Sequence, residues 1–146
     1  MMKINPYLNF DGNCEEAFSF YKSVFGGEFL YMGRFEDIPP QEGMPLMPEE
    51  FKKRIMHVSL QVGETVLMGS DTGGDCGGPG FIVGNNINLS VGADSRSEAD
   101  KLFSALSKGG KILMPMEEMF WGEYFGMFTD KFGINWMISS KMNGKM

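Results

Sequence analysis

Apolar and polar side chains alternate over residues 4–10 (INPYLNF), with Ile4, Leu8 and Phe10 on one face and Asn5, Tyr7 and Asn9 on the other, so this stretch is predicted as a strand. The period then lengthens. Asp11, Gly12 and Asn13 offer turn and N-cap chemistry, and Glu15 and Glu16 suit the positive end of a helix dipole. Ala17, Phe20, Tyr21, Val24 and Phe25 recur at helical spacing until Gly26-Gly27 ends the run. Phe29–Arg34 reads as a short strand. The stretch Asp37–Glu50 carries Pro39, Pro40, Pro45 and Pro48, which fix φ and remove donors, so it is expected to be a long loop and a candidate lid. Arg54–Val62 and Thr65–Ser70 read as two strands joined by a tight turn at Gly63-Glu64.

The same order then recurs. After the glycine-rich DTGGDCGGPG (71–80), which has too little side chain to pack, Asn86–Val91 alternates again, and Asp94 or Ser95 caps a helix running to about Lys108. Gly109-Gly110 ends it, and Lys111–Met116, Tyr124–Thr129 and Asn135–Ser140 read as strands. Laid over one another, residues 15–30 and 97–113 pair Ala17 with Ala99, Tyr21 with Phe103, Gly27 with Gly110 and Leu30 with Leu113. Residues 62–70 over 132–140 pair Val66 with Trp136 and Ser70 with Ser140. Two βαβββ modules follow: the first about 1–70, a linker 71–85 and the second about 86–140, in one 146-residue α+β domain. One helix and one sheet cannot bury their apolar faces adequately alone, so the modules are expected to share a core.

Composition narrows the classes of function. A net charge of −6, with 13 Lys and Arg dispersed along the chain, lacks the basic stripe that holds phosphate backbones, so nucleic acid is not an expected partner. No apolar run reaches membrane-spanning length and the amino terminus has no signal-peptide pattern, so no membrane is expected and the cytoplasm is the expected compartment. The two cysteines, Cys14 and Cys76, are far apart and in no metal-ligand spacing, which fits a reducing compartment. Fourteen methionines, mostly core filler and tail, also suit an adaptable pocket, because the thioether chain is flexible and polarisable. The glycine-rich stretch lacks the Lys and Ser/Thr of a phosphate loop.

Three blocks, YLNFDGNCEEAFSFYKSVFGGE, HVSLQVGETVLMGSD and FWGEYFGMFTDKFGINWMIS, resemble the PhnB-like family of the vicinal oxygen chelate superfamily, which includes glyoxalase I and the bleomycin-resistance proteins. With the elements between them the resemblance spans nearly the whole chain. It implies curved sheets around a cavity, helices on the outer face, and a homodimer. The strand positions that alternate with the helix-facing apolar residues then point into the cavity: Asn5, Tyr7 and Asn9; His57, Ser59 and Gln61; Asn86, Asn88 and Ser90. A polar face turned to plain solvent would read the same way.

Metal-dependent members of the superfamily hold a divalent ion with His or carboxylate side chains from the first and last strand of each module. The matching positions here are Asn5 (or Pro6), Val66, Asn86 and Trp136, and a one-residue slip brings in Leu67, Met68, Asn135 or Met137. None is a good ligand, so no metal and no other cofactor is expected. His57, the single histidine, is the candidate ligand anchor and the candidate catalytic base, because an imidazole gains and loses a proton near neutral pH. Expected ligand contacts are Tyr7, Asn9, His57, Ser59, Asn86, Asn88, Trp121, Phe125 and Trp136, the aromatics forming a wall with a few polar fixtures. Glu117 and Glu118 are candidate acid/base carboxylates or plain solvated ones; Cys14 stands at a helix start, which favours a thiolate, but no histidine is near it in sequence and reactive use is not expected. The leading expectation is a metal-independent small-molecule-binding protein. The alternatives are a lyase, isomerase or transferase using the same residues, or a dimeric interaction module.

Overall fold

A computed structural model describes residues 2–39, 42–43, 48–72 and 81–141. Pro40 and Pro45 of the expected lid, and the glycine-rich residues 73–80 with Cys76, lie outside the described residues. The chain divides into two compact units, Met1–Ile82 and Val83–Met146.

The first unit comprises β1 (Tyr7–Phe10), α1 (Cys14–Phe25), β2 (Glu28–Arg34), the single-turn α2 (Glu49–Lys52), β3 (Ile55–Val62) and β4 (Thr65–Asp71). A short 3-10 turn, Phe35–Asp37, follows β2. The sheet order is β1-β4-β3-β2, with β1 parallel to β4 and the other pairs antiparallel. The second unit repeats this with β5 (Leu89–Ala93), α3 (Arg96–Ser107), β6 (Lys111–Glu118), β7 (Glu123–Thr129) and β8 (Asn135–Lys141), in the order β5-β8-β7-β6. Both units are α+β with the βαβββ order read from the sequence. Among the described residues, no helix is long and apolar enough to cross a membrane.

The helix stripes explain the cores. Cys14, Ala17, Phe18 and Tyr21, at i, i+3, i+4 and i+7, are the buried face of α1, so Phe18 is central and the expected Phe20, Val24 and Phe25 are only partly covered. Phe18 stands edge-on to Phe10 at 6.1 Å and lies where a side chain on Gly69 would go, its ring 2.6 Å from an added Cβ. In the second unit Phe103 of α3 meets Phe128 edge-on at 5.1 Å, and a Cβ on Gly126 would come within 2.8 Å of Phe103. Each helix therefore packs where a strand glycine lets it approach. The paired glycines Gly27 and Gly110 play one role in both units: a Cβ on either would strike a strand carbonyl, of Gln61 or Thr129.

Capping differs between the units. Ser95 accepts from the Glu98 amide at 3.0 Å, as an N-cap should, whereas Asn13 makes no side-chain cap bond. The buried Asp71, at the end of β4, replaces it. Its Oδ1 accepts from the amides of Gly12 (2.8 Å) and Cys14 (2.9 Å), and its Oδ2 from that of Ile55 (2.9 Å), tying the start of α1 to β3 and β4. Arg34 adds a fork onto both oxygens of Glu15 at 3.0 and 2.9 Å, which holds that carboxyl below the usual range.

The register corrects one expectation. Leu67, Gly69 and Asp71 are the buried positions of β4, and Trp136, Ile138 and Ser140 those of β8, so the helix-facing positions match Leu67, not Val66, with Trp136. The last hairpins differ in turn length. Val62 pairs with Thr65 across Gly63-Glu64, while Thr129 pairs with Asn135 across Asp130–Ile134, a longer turn held by Asp130 accepting from the amides of Phe132 and Ile134. Because strand side chains alternate, a one-residue slip exchanges the faces.

Candidate functional site

In the first sheet the buried Phe10, Val58, Leu60 and Leu67 belong to the α1 side, so the alternate residues occupy the face turned away from the helix. Tyr7 and Asn9 come from β1, Val66, Met68 and Ser70 from β4, and His57, Ser59 and Gln61 from β3. Their cross-strand pairs run in rows: Tyr7 with Met68, Met68 with Ser59, Ser59 with Tyr31.

Three side chains converge there. The Tyr7 hydroxyl lies 3.2 Å from Nδ1 of His57, their ring centroids are 5.6 Å apart, and the Tyr31 ring stands on the other side at 6.0 Å. Tyr31 reaches His57 because it folds across Gly33, the cross-strand partner of His57; any Cβ there would collide with the phenol. Among the described residues, Nε2 of His57 and the hydroxyl of Tyr31 have no hydrogen-bond partner. The arrangement offers two polar atoms beside two aromatic faces, enough to orient a small organic molecule.

The other expected contacts fall as follows. Ser59 is on the same face but 7% exposed, between Tyr31 and Met68. Asn9 is exposed next to its partner Ser70, and Asn5 accepts from the Val66 amide at 3.4 Å. Asn86 and Asn88 are exposed and precede β5, which starts at Leu89, so they lie in an irregular stretch rather than on a strand. Phe125 is on the face of the second sheet turned from α3, with Trp121 edge-on at 6.0 Å and Phe120 beyond it at 5.1 Å, in the β6–β7 turn.

Trp136 does not join them. It pairs with Phe128, which packs on α3, and it is 3% exposed with its ring N–H donating to Oδ2 of the buried Asp130 at 2.8 Å. The expected ligand contact is a core residue, displaced to the other face by the longer turn. Cys14 is fully buried, and burial pushes its thiol far up, with the Asp71 and Glu15 charges adding to the shift, so the thiolate is disfavoured despite the helix start. Glu118 is committed to Arg96 at 2.7 Å, and Arg96 also covers the Tyr124 ring at 4.0 Å. Tyr124 donates to Asp100, a bond that raises its hydroxyl above the usual phenol range together with burial.

Tyr31 and Gly33 were absent from the sequence reading of the site, and Met68 entered it only as a slipped metal position. Tyr31 follows a register shift between Phe29 and Tyr31, which breaks the alternation of β2. The one usable signal was a glycine inside a strand, which marks a close approach.

The family metal does not fit this donor set. In the first and last strands of each unit, the positions turned from the helix hold Tyr7 and Asn9, Val66, Met68 and Ser70, Ser90 and Gly92, and Asn135, Met137, Ser139 and Lys141, with the Asn135 amide already bonded to Thr129, Gly84 and Ile87. Among the described residues no three His, Cys, Asp or Glu side chains come together.

Comparison with known proteins agrees with the fold. Residues 2–139 match the profile of a family described as 3-demethylubiquinone-9 3-methyltransferase. Protein YjdN of Escherichia coli (strain K12) is 32% identical over 145 residues, covering 94% of this chain and 95% of that protein. The crystal structure of protein PA1353 from Pseudomonas aeruginosa superimposes with a TM-score of 0.81 at 39% identity, over 98% of this chain and 100% of that one. A putative 3-demethylubiquinone-9 3-methyltransferase, PhnB protein, from Bacillus cereus gives 0.75 at 26% identity, over 95% and 99%. A glyoxalase/bleomycin resistance protein/dioxygenase family enzyme from Burkholderia phytofirmans, at 17% identity and 0.65 over 93% and 97%, shares the fold. The chain belongs to the PhnB-like family described as 3-demethylubiquinone-9 3-methyltransferase, and it has the fold of the glyoxalase/bleomycin resistance/dioxygenase proteins.

Proposed function

We propose that this chain is a small-molecule-binding protein that uses the helix-free face of its first sheet, with His57 as the polar anchor, and that it works without the superfamily metal. The observation that carries this is the convergence of Tyr7, His57 and Tyr31, with Nε2 of His57 unpartnered among the described residues. The family description names an activity on demethylubiquinone, an organic small molecule, in keeping with this class of ligand. The donor set described above supports metal independence.

A homodimer in the cytoplasm is part of the proposal. Leu30 and Leu113, exposed by 58% and 49% at matching register shifts on the edge strands β2 and β6, are apolar surface that a second copy would cover. An acid/base enzyme is the second reading, favoured by the same unpartnered nitrogen.

His57 is the single histidine, so its imidazole gives one unambiguous NMR signal for ligand screening. Small organic compounds are expected to shift that signal, and His57→Ala to weaken their binding about 5-fold or more. Ligands that bind equally well to His57→Ala, or one metal ion per chain in the native protein, would refute the proposal. Sedimentation at micromolar concentration tests the dimer.

A further inference from the structure

We infer that Tyr7 holds His57 in its Nε2–H tautomer, so that the site selects an uncharged hydrogen-bond acceptor carried on a planar ring, of which a conjugated carbonyl compound is the class. This rests on the reading of the His57 face as a ligand site. A phenol O–H is a good donor and its oxygen a poor acceptor, whereas an unprotonated imidazole nitrogen accepts strongly. At 3.2 Å the Tyr7 hydroxyl therefore donates to Nδ1, and a neutral imidazole that accepts at Nδ1 must carry its proton on Nε2. The free end of the ring is then a donor, and it calls for an acceptor.

The surroundings set the rest. Tyr7 and Tyr31, tilted 34° and 37° to the imidazole with centroids 5.6 and 6.0 Å away, put aromatic surface beside the ring, which suits a flat conjugated ligand. The charges argue against an anion. The face of β1, β3 and β4 carries no Lys or Arg; Glu28 is the cross-strand partner of Gln61, and Arg34 and Arg54 are held by Glu15 and Asp11. A carboxylate or phosphonate would lose its hydration there without gaining a cation.

The test labels the single histidine with 15N and records Nδ1 and Nε2 along a pH series, reading the tautomer at the alkaline plateau where the shifts stop changing. Three uncomplicated probes follow: coumarin, planar and neutral with a lactone carbonyl; naphthalene, of similar shape without an acceptor; and 2-naphthoate, an anion. The free protein should show the Nε2–H form, and Tyr7→Phe should show a mixture of tautomers. Tyr7→Phe should weaken coumarin by about 2- to 10-fold and leave naphthalene unchanged. Tyr31→Leu should weaken both. An Nδ1–H signal in the parent protein, a coumarin affinity indifferent to Tyr7→Phe, or tighter binding of 2-naphthoate than of coumarin would overturn the inference while binding at His57 stood. Failure of all three probes to move His57 would overturn the ligand-class inference, and if the wider compound screen also left His57 unmoved, the small-molecule reading would go with it.

Discussion

Replacing Asp71 probes the joint on which the His57 face depends. Its carboxylate accepts from three main-chain amides at 2.8, 2.9 and 2.9 Å, two of them in buried bonds, and it is itself 4% exposed. A hydrogen bond to a charged group contributes about 1.5–3 kcal/mol net, and a buried amide left without a partner costs about 1–3 kcal/mol. The three share one acceptor and will not add, so Asp71→Ala should cost about 3–6 kcal/mol, a large part of a typical domain stability of about 5–15 kcal/mol. Asp71→Asn keeps the shape but turns one acceptor into a donor facing an N–H, so it should cost about half as much or more. Denaturant unfolding followed by circular dichroism measures the loss, and amide exchange at Cys14 and Ile55 locates it. Both tryptophans, Trp121 and Trp136, belong to the second unit, so the His57 proton signal is the better optical-free reporter on the first. Variants within about 1 kcal/mol of the parent, with both amides still protected, would refute the capping role.

Trp136→Phe should remove the donor from buried Asp130 and cost about 1.5–3 kcal/mol in denaturant unfolding, while ligand titrations stay unchanged, the reverse of what a pocket-wall residue would do. Gly33→Ala meets the end of a flexible side chain, so stability should fall by less than about 1 kcal/mol. Tyr31 must swing off His57, however, and ligand affinity measured by titration should drop several-fold. The Cys14 thiol is raised far above its ordinary value of 9.0, chiefly by burial, so the folded state keeps a proton that the unfolded state loses. Stability from this group is complete below about pH 9 and should fall above it by up to about 1.4 kcal/mol per pH unit, a slope that Cys14→Ser should reduce in unfolding curves from about pH 8 to 10.5. In the native protein, iodoacetamide should modify Cys14 slowly, as peptide mass spectrometry would show.

Much of the fold could be read from local periodicity because each element carries its own signal. Ser95 and the Gly109-Gly110 stop bracket α3, and Gly63-Glu64 marks the turn after β3. The paired glycines Gly27 and Gly110 were legible as a repeat, and the structure supplies their cause in the strand carbonyls of Gln61 and Thr129. What misled was register. The alignment that set Val66 against Trp136 counted residues along the chain, but the Asp130–Ile134 turn takes up more chain than Gly63-Glu64, and strand faces obey pairing rather than counting. Asn86 and Asn88 fall outside β5 because the alternation in the sequence extends beyond the residues that find a strand partner.

By itself, the sequence determined the α+β class, the doubled βαβββ order, and the presence of Tyr7 and His57 on the polar face of their strands, since these follow from residue type and short-range period, while the family came from the resemblance of three sequence blocks. Only the tertiary structure decided that Tyr31 leans across Gly33 onto His57, that Asp71 rather than Asn13 caps α1, that Cys14 is a buried thiol, and that Trp136 belongs to the core. Those outcomes depend on which strands meet and in what register, a long-range choice made by packing energy that no local window contains.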